Sequence, residues 1–204
     1  MSNPILLTYI KQIGRPVFTT REIATVSGKS SSVVTQSLGH LKKHGLLLKV
    51  CRGVWAETGH PSLSPYAVIP FLSFRHRAYV SFLSALHLHG VMEQIPQVIM
   101  LASTAHTRTL RTKLGTFAVH RISPKLFKGF DWYGSQESFL IACPEKALVD
   151  SLYLSACKKK QFGNFPELSL KRPFSFKKAY AFAGEIPNGK VRSFVLKRLR
   201  ELNR

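Results

Sequence analysis

Residues Gly28–Gly45 read GKSSSVVTQSLGHLKKHG: three serines, an interrupted apolar rhythm, then two lysines and a histidine before a glycine. At 100° per residue, Val34, Leu38 and Leu41 fall within about 60° of one another and predict a buried helical stripe. Ser32, Gln36, Gly39 and Lys43 fall roughly 140 to 180° away, a face of small, amide-bearing and cationic residues without a carboxylate. Ser30 or Ser31 is expected to cap the helix, the lysines suit its negative end, and Gly45 stops it.

The flanks extend the pattern. Upstream, Asn3 can cap a helix with Pro4 at its first position, and Ile5, Leu6, Tyr9, Ile10 and Ile13 share one face. Thr19 or Thr20 can cap a short second helix carrying Ile23, Ala24 and Val26, with Glu22 at its positive end. Ser27-Gly28-Lys29 then turns the chain into the third helix. Downstream, Leu46–Val50 and Val54–Ala56 flank Cys51-Arg52-Gly53, a hairpin with Arg52 at its tip.

Three helices and a hairpin in this order are a winged helix-turn-helix, whose third helix enters the major groove while the hairpin tip meets the backbone. Residues 1–58 are therefore expected to bind double-stranded DNA. Ser30, Ser31, Ser32 and Thr35 suit phosphates or base edges, Gln36 suits adenine, and Lys29, Lys43 and Arg52 supply electrostatic grip.

Composition agrees with a polyanionic partner. The 204 residues carry 30 Lys and Arg against 10 Asp and Glu, a formal charge of +20, which favours nucleic acid over an acidic membrane surface. The charge is uneven, at +6 for residues 1–58, +5 for 59–158 and +9 for 159–204. No apolar run is long enough to span a bilayer and no signal peptide is visible, so a soluble cytoplasmic protein is expected. Cys51, Cys143 and Cys157 are odd in number and lack C-x-x-C spacing, which predicts buried thiols rather than a disulfide framework or zinc site.

Thr58–Pro65, TGHPSLSP, reads as a boundary loop, so a mixed α/β domain is expected over residues 66–204 and an α+β class for the whole. AYVSFLSALHLHG (Ala78–Gly90) has helical spacing. QVIMLA (Gln97–Ala102) and TFAVHRI (Thr116–Ile122) are β-rich. SFLIA (Ser138–Ala142) leads into PEKALVDSLYL, with Pro144 at a helix start and Glu145 complementing the dipole. A last helix, Lys190–Leu202, sets Val191, Phe194, Val195, Leu199 and Leu202 on one side and five cations elsewhere.

Enzymatic chemistry finds little support. No Asp or Glu has Lys two positions later, as a restriction-type nuclease site requires, and no G-x-S-x-G elbow occurs. His87 and His89 diverge by about 200° on a helix, and His40 and His44 lack an accompanying H-E-x-x-H glutamate, so no metal or cofactor is expected. AHTRTLRTK (Ala105–Lys113) reads equally as a solvated hairpin or, with Arg121, as a polyanion surface of Arg108, Arg111 and Lys113. The basic last helix is likewise balanced between a solvated face and nucleic-acid contact. The alternative to DNA binding is an RNA-binding or enzyme-regulating module working through the basic C-terminal third.

RGVWAE (Arg52–Glu57), AYVSFLSALHLHGV, GTFAVHRISPKLFKGF (Gly115–Phe130) and IACPEKALVDSLYL (Ile141–Leu154) follow one another in an order that resembles the AbiEi-type antitoxins of type IV toxin/antitoxin systems. The resemblance spans roughly residues 5–157. It implies a bacterial autorepressor that binds inverted repeats at its own promoter. It also implies a C-terminal domain that antagonises a nucleotidyltransferase-like toxin without a stable complex. Cys143 stands where that pattern would place a capping serine, and residues 159–204 carry no motif of the family.

Overall fold

A computed structural model describes residues 6–72, 77–134, 139–157, 162, 167–170 and 173–203. The expected cap at Asn3 and Pro4 lies outside them. The chain mixes helix and strand, in keeping with the α+β class. It divides into two compact units: Met1–Leu72 with Arg111–Gly115, and Ser73–Leu110 with Thr116–Arg204. The 3-10 turn Pro65–Phe71 thus belongs to the first unit, although the sequence places it beyond the boundary loop.

The first unit runs α1 (Leu6–Ile13), β1 (Val17–Thr19), α2 (Thr20–Ser27), α3 (Ser31–Lys43), β2 (Leu47–Cys51) and β3 (Val54–Glu57). Thr19 ends β1 and caps α2 through a reciprocal box. Its side chain accepts from the Glu22 N–H, and the Glu22 carboxylate accepts from the Thr19 backbone N–H. This pairing satisfies two donors that a helix start leaves open.

β1 is a departure from three helices followed by a hairpin. It joins the hairpin as a third antiparallel strand, in the order β1-β3-β2, with Phe18 opposite Trp55. Leu6, Ile10, Phe18, Ile23, Val34, Leu38, Leu47 and Trp55 form one buried cluster, with Leu41 packed at its edge. Trp55 is satisfied in this core because its indole N–H donates to Thr20 Oγ1 at 2.9 Å.

A six-stranded mixed sheet is formed by β4 (Ala78–Val80), β5 (Ile99–Ser103), β6 (Arg108–Thr112), β7 (Gly115–Arg121), β8 (Phe130–Trp132) and β9 (Leu140–Ala142), in the order β6-β7-β5-β4-β9-β8. β4 runs antiparallel to β5 and parallel to β9, and β5 runs parallel to β7. The sequence reads a single helix from Ala78. Instead Ala78–Val80 pairs on both sides in the sheet centre, and α4 begins only at Phe82 (Phe82–Leu88). Two-sided pairing overrides helical spacing here, since a short buried strand needs no alternation.

Four helices pack with one another: α4, α5 (Pro144–Ala156), α6 (Phe176–Gly184) and α7 (Gly189–Leu202). α5 contacts the other three. It is accordingly buried nearly all round, from Glu145 to Leu154, as a helix surrounded by neighbours must be.

Candidate functional site

The exposed side of α3 follows from its cap and its stripe. Ser30 is the N-cap, its Oγ accepting from the Val33 N–H at 3.5 Å and lying 3.0 Å from Ser32 Oγ. Val34 and Leu38 are fully buried, which turns Ser32, Gln36 and Lys43 to solvent. Leu41, expected in the stripe, is only half-buried because it lies near the helix end at the rim of the core. Gly39, expected on the open face, is half-buried as well.

Of the residues singled out, Ser30, Ser31, Ser32, Thr35, Gln36, Lys43 and Arg52 are exposed and Lys29 is half-buried. Thr35 spends its hydroxyl proton on the Ser31 carbonyl at 2.7 Å, which leaves its oxygen able to accept but not to donate outward. The Gln36 side chain makes no hydrogen bond among the described residues, so its amide presents both donor and acceptor to solvent. Arg52 occupies the β2–β3 turn, which Gly53 closes at φ 75°. His40 and Val33, the latter 48% exposed, also reach solvent on this helix.

The first unit is poor in free anions. Glu22 and Glu57 are the two acids of residues 1–58. Burial raises the Glu22 carboxyl, but hydrogen bonds from Arg15 and Thr19 and the charge of Arg15 outweigh it and hold it below its ordinary value. Glu22, seven residues from Lys29, is engaged in the α2 cap, and Glu57, five residues from Arg52, ends β3.

The expected polyanion surface does not form one face. Arg108 and Arg111 both lie on β6, where a spacing of three directs them to opposite sides of the strand. Lys113 and Arg121 are exposed at the turn and at the end of β7. The histidine pair is engaged in the fold: His87 Nδ1 meets the Met92 carbonyl at 3.2 Å and His89 Nε2 the Ala142 carbonyl at 2.8 Å. Among the described residues no group of three metal-ligating side chains occurs. The thiols are not buried as expected, since Cys51 and Cys143 are half-buried and Cys157 is exposed.

A polar constellation that sequence reasoning misses lies at the heart of the second unit. Asp150, fully buried, pairs through Oδ1 with the Lys146 ammonium one turn earlier on α5. Its Oδ2 accepts from Tyr79 Oη at 2.9 Å and from Ser81 Oγ at 2.8 Å. Burial, with Asp150 beside it, pushes the Tyr79 phenol well up, so it stays a donor. Lys146 also lies 5.7 Å from the Tyr79 ring centre. Two of the quoted motifs, AYVSFLSALHLHGV and PEKALVDSLYL, thus meet at one carboxylate.

Next to Ser81, Phe82 takes φ 57°, a left-handed conformation rare for an aromatic residue. Its ring is held at 5.2 Å from His120 and 5.3 Å from Phe162. In the first turn of α5, beside Lys146, Glu145 accepts from the Ser175 N–H and faces Lys178 at 3.5 Å, joining α5 to the start of α6. Burial raises Glu145, but backbone hydrogen bonds, Cys143 and Lys178 bring it below its ordinary value. The signal for this network was the i, i+4 pair Lys146/Asp150, a spacing that on its own describes a surface pair.

Among the described residues no helix is long and apolar enough to cross a membrane. No protein-family model matches the chain, and a search of curated proteins returns no match either.

Proposed function

We propose that residues 6–57 are a winged helix-turn-helix that binds duplex DNA, and that the chain is a repressor of the AbiEi antitoxin kind. The observation that carries this reading is α3 itself: a capped 13-residue helix whose outward face offers Ser32, Gln36 and Lys43 and no acid. The order α1-β1-α2-α3-β2-β3, with Arg52 at the last turn, supports this reading. Gln36 would read adenine, Ser31, Ser32 and Thr35 would meet phosphates or base edges, and Lys29, Lys43 and Arg52 would grip the backbone. Occlusion of the promoter would then repress transcription.

The antitoxin part is supported by the four motifs in order, and the second unit would oppose a nucleotidyltransferase-like toxin. A band-shift series with the full chain and the DNA upstream of its gene tests the first half. Gln36→Ala should cost about 1–3 kcal/mol on the preferred sequence and little on random duplex. Lys43→Ala should weaken all sequences and lower the salt slope by about 1. A chain that ignores its upstream DNA at low salt overturns the repressor reading, and equal losses on both duplexes remove Gln36 from its role. Co-expression with a neighbouring nucleotidyltransferase-like gene tests the second half, the expected outcome being restored growth. Unrelieved toxicity overturns it.

A further inference from the structure

We propose that the outward face of α7 is a binding site for single-stranded nucleic acid, separate from α3. α7 is capped by Asn188, whose side chain accepts from the N–H groups of Lys190 and Val191, and Val195 and Leu199 are its buried anchors. Lys190, Ser193, Lys197 and Arg200 lie roughly 140 to 220° around the helix from Val195. All four are exposed, and the row from Lys190 to Arg200 is about 15 Å long at 1.5 Å per residue.

None of the three cations makes an ion pair among the described residues. The one acid of the helix, Glu201, is held by Arg198 at 2.7 Å. Phe194, 39% exposed, borders this row about 80° from its centre, where the apolar side meets the cations, four residues from Lys190 and three from Lys197.

The aromatic ring selects the ligand. A phosphate backbone alone needs only the cations, and a paired base hides its faces in the stack. An unpaired base offers a π-face to an exposed ring while flanking cations hold its phosphates. A membrane surface fits less well, because a helix lying in a bilayer needs a broad apolar face. The apolar stripe of α7 is already spent on the protein interior, its neighbours being α5 and α6.

Fluorescence anisotropy of the full chain with labelled 12-nucleotide oligouridylate, oligothymidylate and a random duplex of equal length tests the site. Both single strands, or one of them, should bind, and Phe194→Ala should weaken that binding roughly fivefold or more while leaving duplex affinity unchanged. Phe194→Trp should preserve it. Removing two cations, Lys197→Ser with Arg200→Ser, should lower the single-strand salt slope by about 1.4. A Gln36→Ala/Lys43→Ala chain should bind single strands as the natural chain does, so the winged-helix reading and this one can fail separately. The proposal is overturned if Phe194→Ala binds single strands unchanged, or if it loses duplex and single strand by the same factor. It is also overturned if vesicles of acidic lipid bind the chain through Phe194 and neither single strand does.

Discussion

Replacing Asp150 with Ala should destabilise the second unit by about 4 kcal/mol. The carboxylate is fully buried and serves three donors, and Lys146, 1% exposed, would lose its ion-pair partner among the described residues. Breaking a buried ion pair from one side costs about 3–5 kcal/mol, because the remaining charge has neither water nor partner. The Tyr79 and Ser81 hydroxyls lose their acceptor as well, which places the expected cost above the lower end of that range. With a urea slope of about 2 kcal/mol per molar, the midpoint of the second unit should fall by about 2 M. Hydrogen exchange read by mass spectrometry locates the effect: peptides from β4 and α5 should lose protection while α3 and β2–β3 keep theirs. Lys146→Met with Asp150→Asn, which removes both charges and leaves an acceptor for Tyr79 and Ser81, should recover more than half of the loss. A shift below about 0.3 M for Asp150→Ala, or a double variant as unstable as the single one, would refute this account of the pair.

Acid should act on both units. The Glu22 and Glu145 carboxyls sit below the ordinary value of 4.5 in the folded chain. Their stabilisation is therefore complete above that value and is lost as pH falls from it through the folded values. Urea midpoints measured between about pH 3 and pH 6 should decline on the acid side, and Glu22→Gln should flatten the decline of the first unit; an unaltered slope argues against it. Thr19→Ala removes the α2 cap and should cost the first unit about 1 kcal/mol by urea unfolding. Gly129→Ala should lower the thermal midpoint by about 4 °C or more. Gly129 holds φ +77°, and an added Cβ would lie 2.7 Å from Phe182 Cζ and 3.1 Å from Lys146 Cγ. An unchanged midpoint would refute both the left-handed backbone strain and the cost of the close approach to Phe182.

Local rules carried the reading of the first unit a long way. Ser30, Thr19, Val34 and Leu38 stand where capping and periodicity put them, because a cap involves residues two or three apart and a stripe repeats within one helix. β1 escaped that reading, since three residues carry no period and become a strand only by pairing with β3. Ala78–Val80 was misread for the same reason, its neighbours in the sheet coming from residues 101–103 and 141.

The groove candidates on α3 could be chosen by elimination, because once the stripe is known the opposite face follows from helix geometry alone. The surplus of 30 Lys and Arg over 10 Asp and Glu is equally a property of composition. Burial of a charge is not. Lys146 and Asp150 share one helix turn, yet whether they lie in water or in a dry core depends on α4, α6 and α7 closing around α5. The hydroxyls that complete their network arrive from about seventy residues away in the chain. What adjacent residues decide among themselves was legible in the linear chain. What distant segments exclude from water was settled only by the tertiary structure, because desolvation is set by every surface that packs against a group.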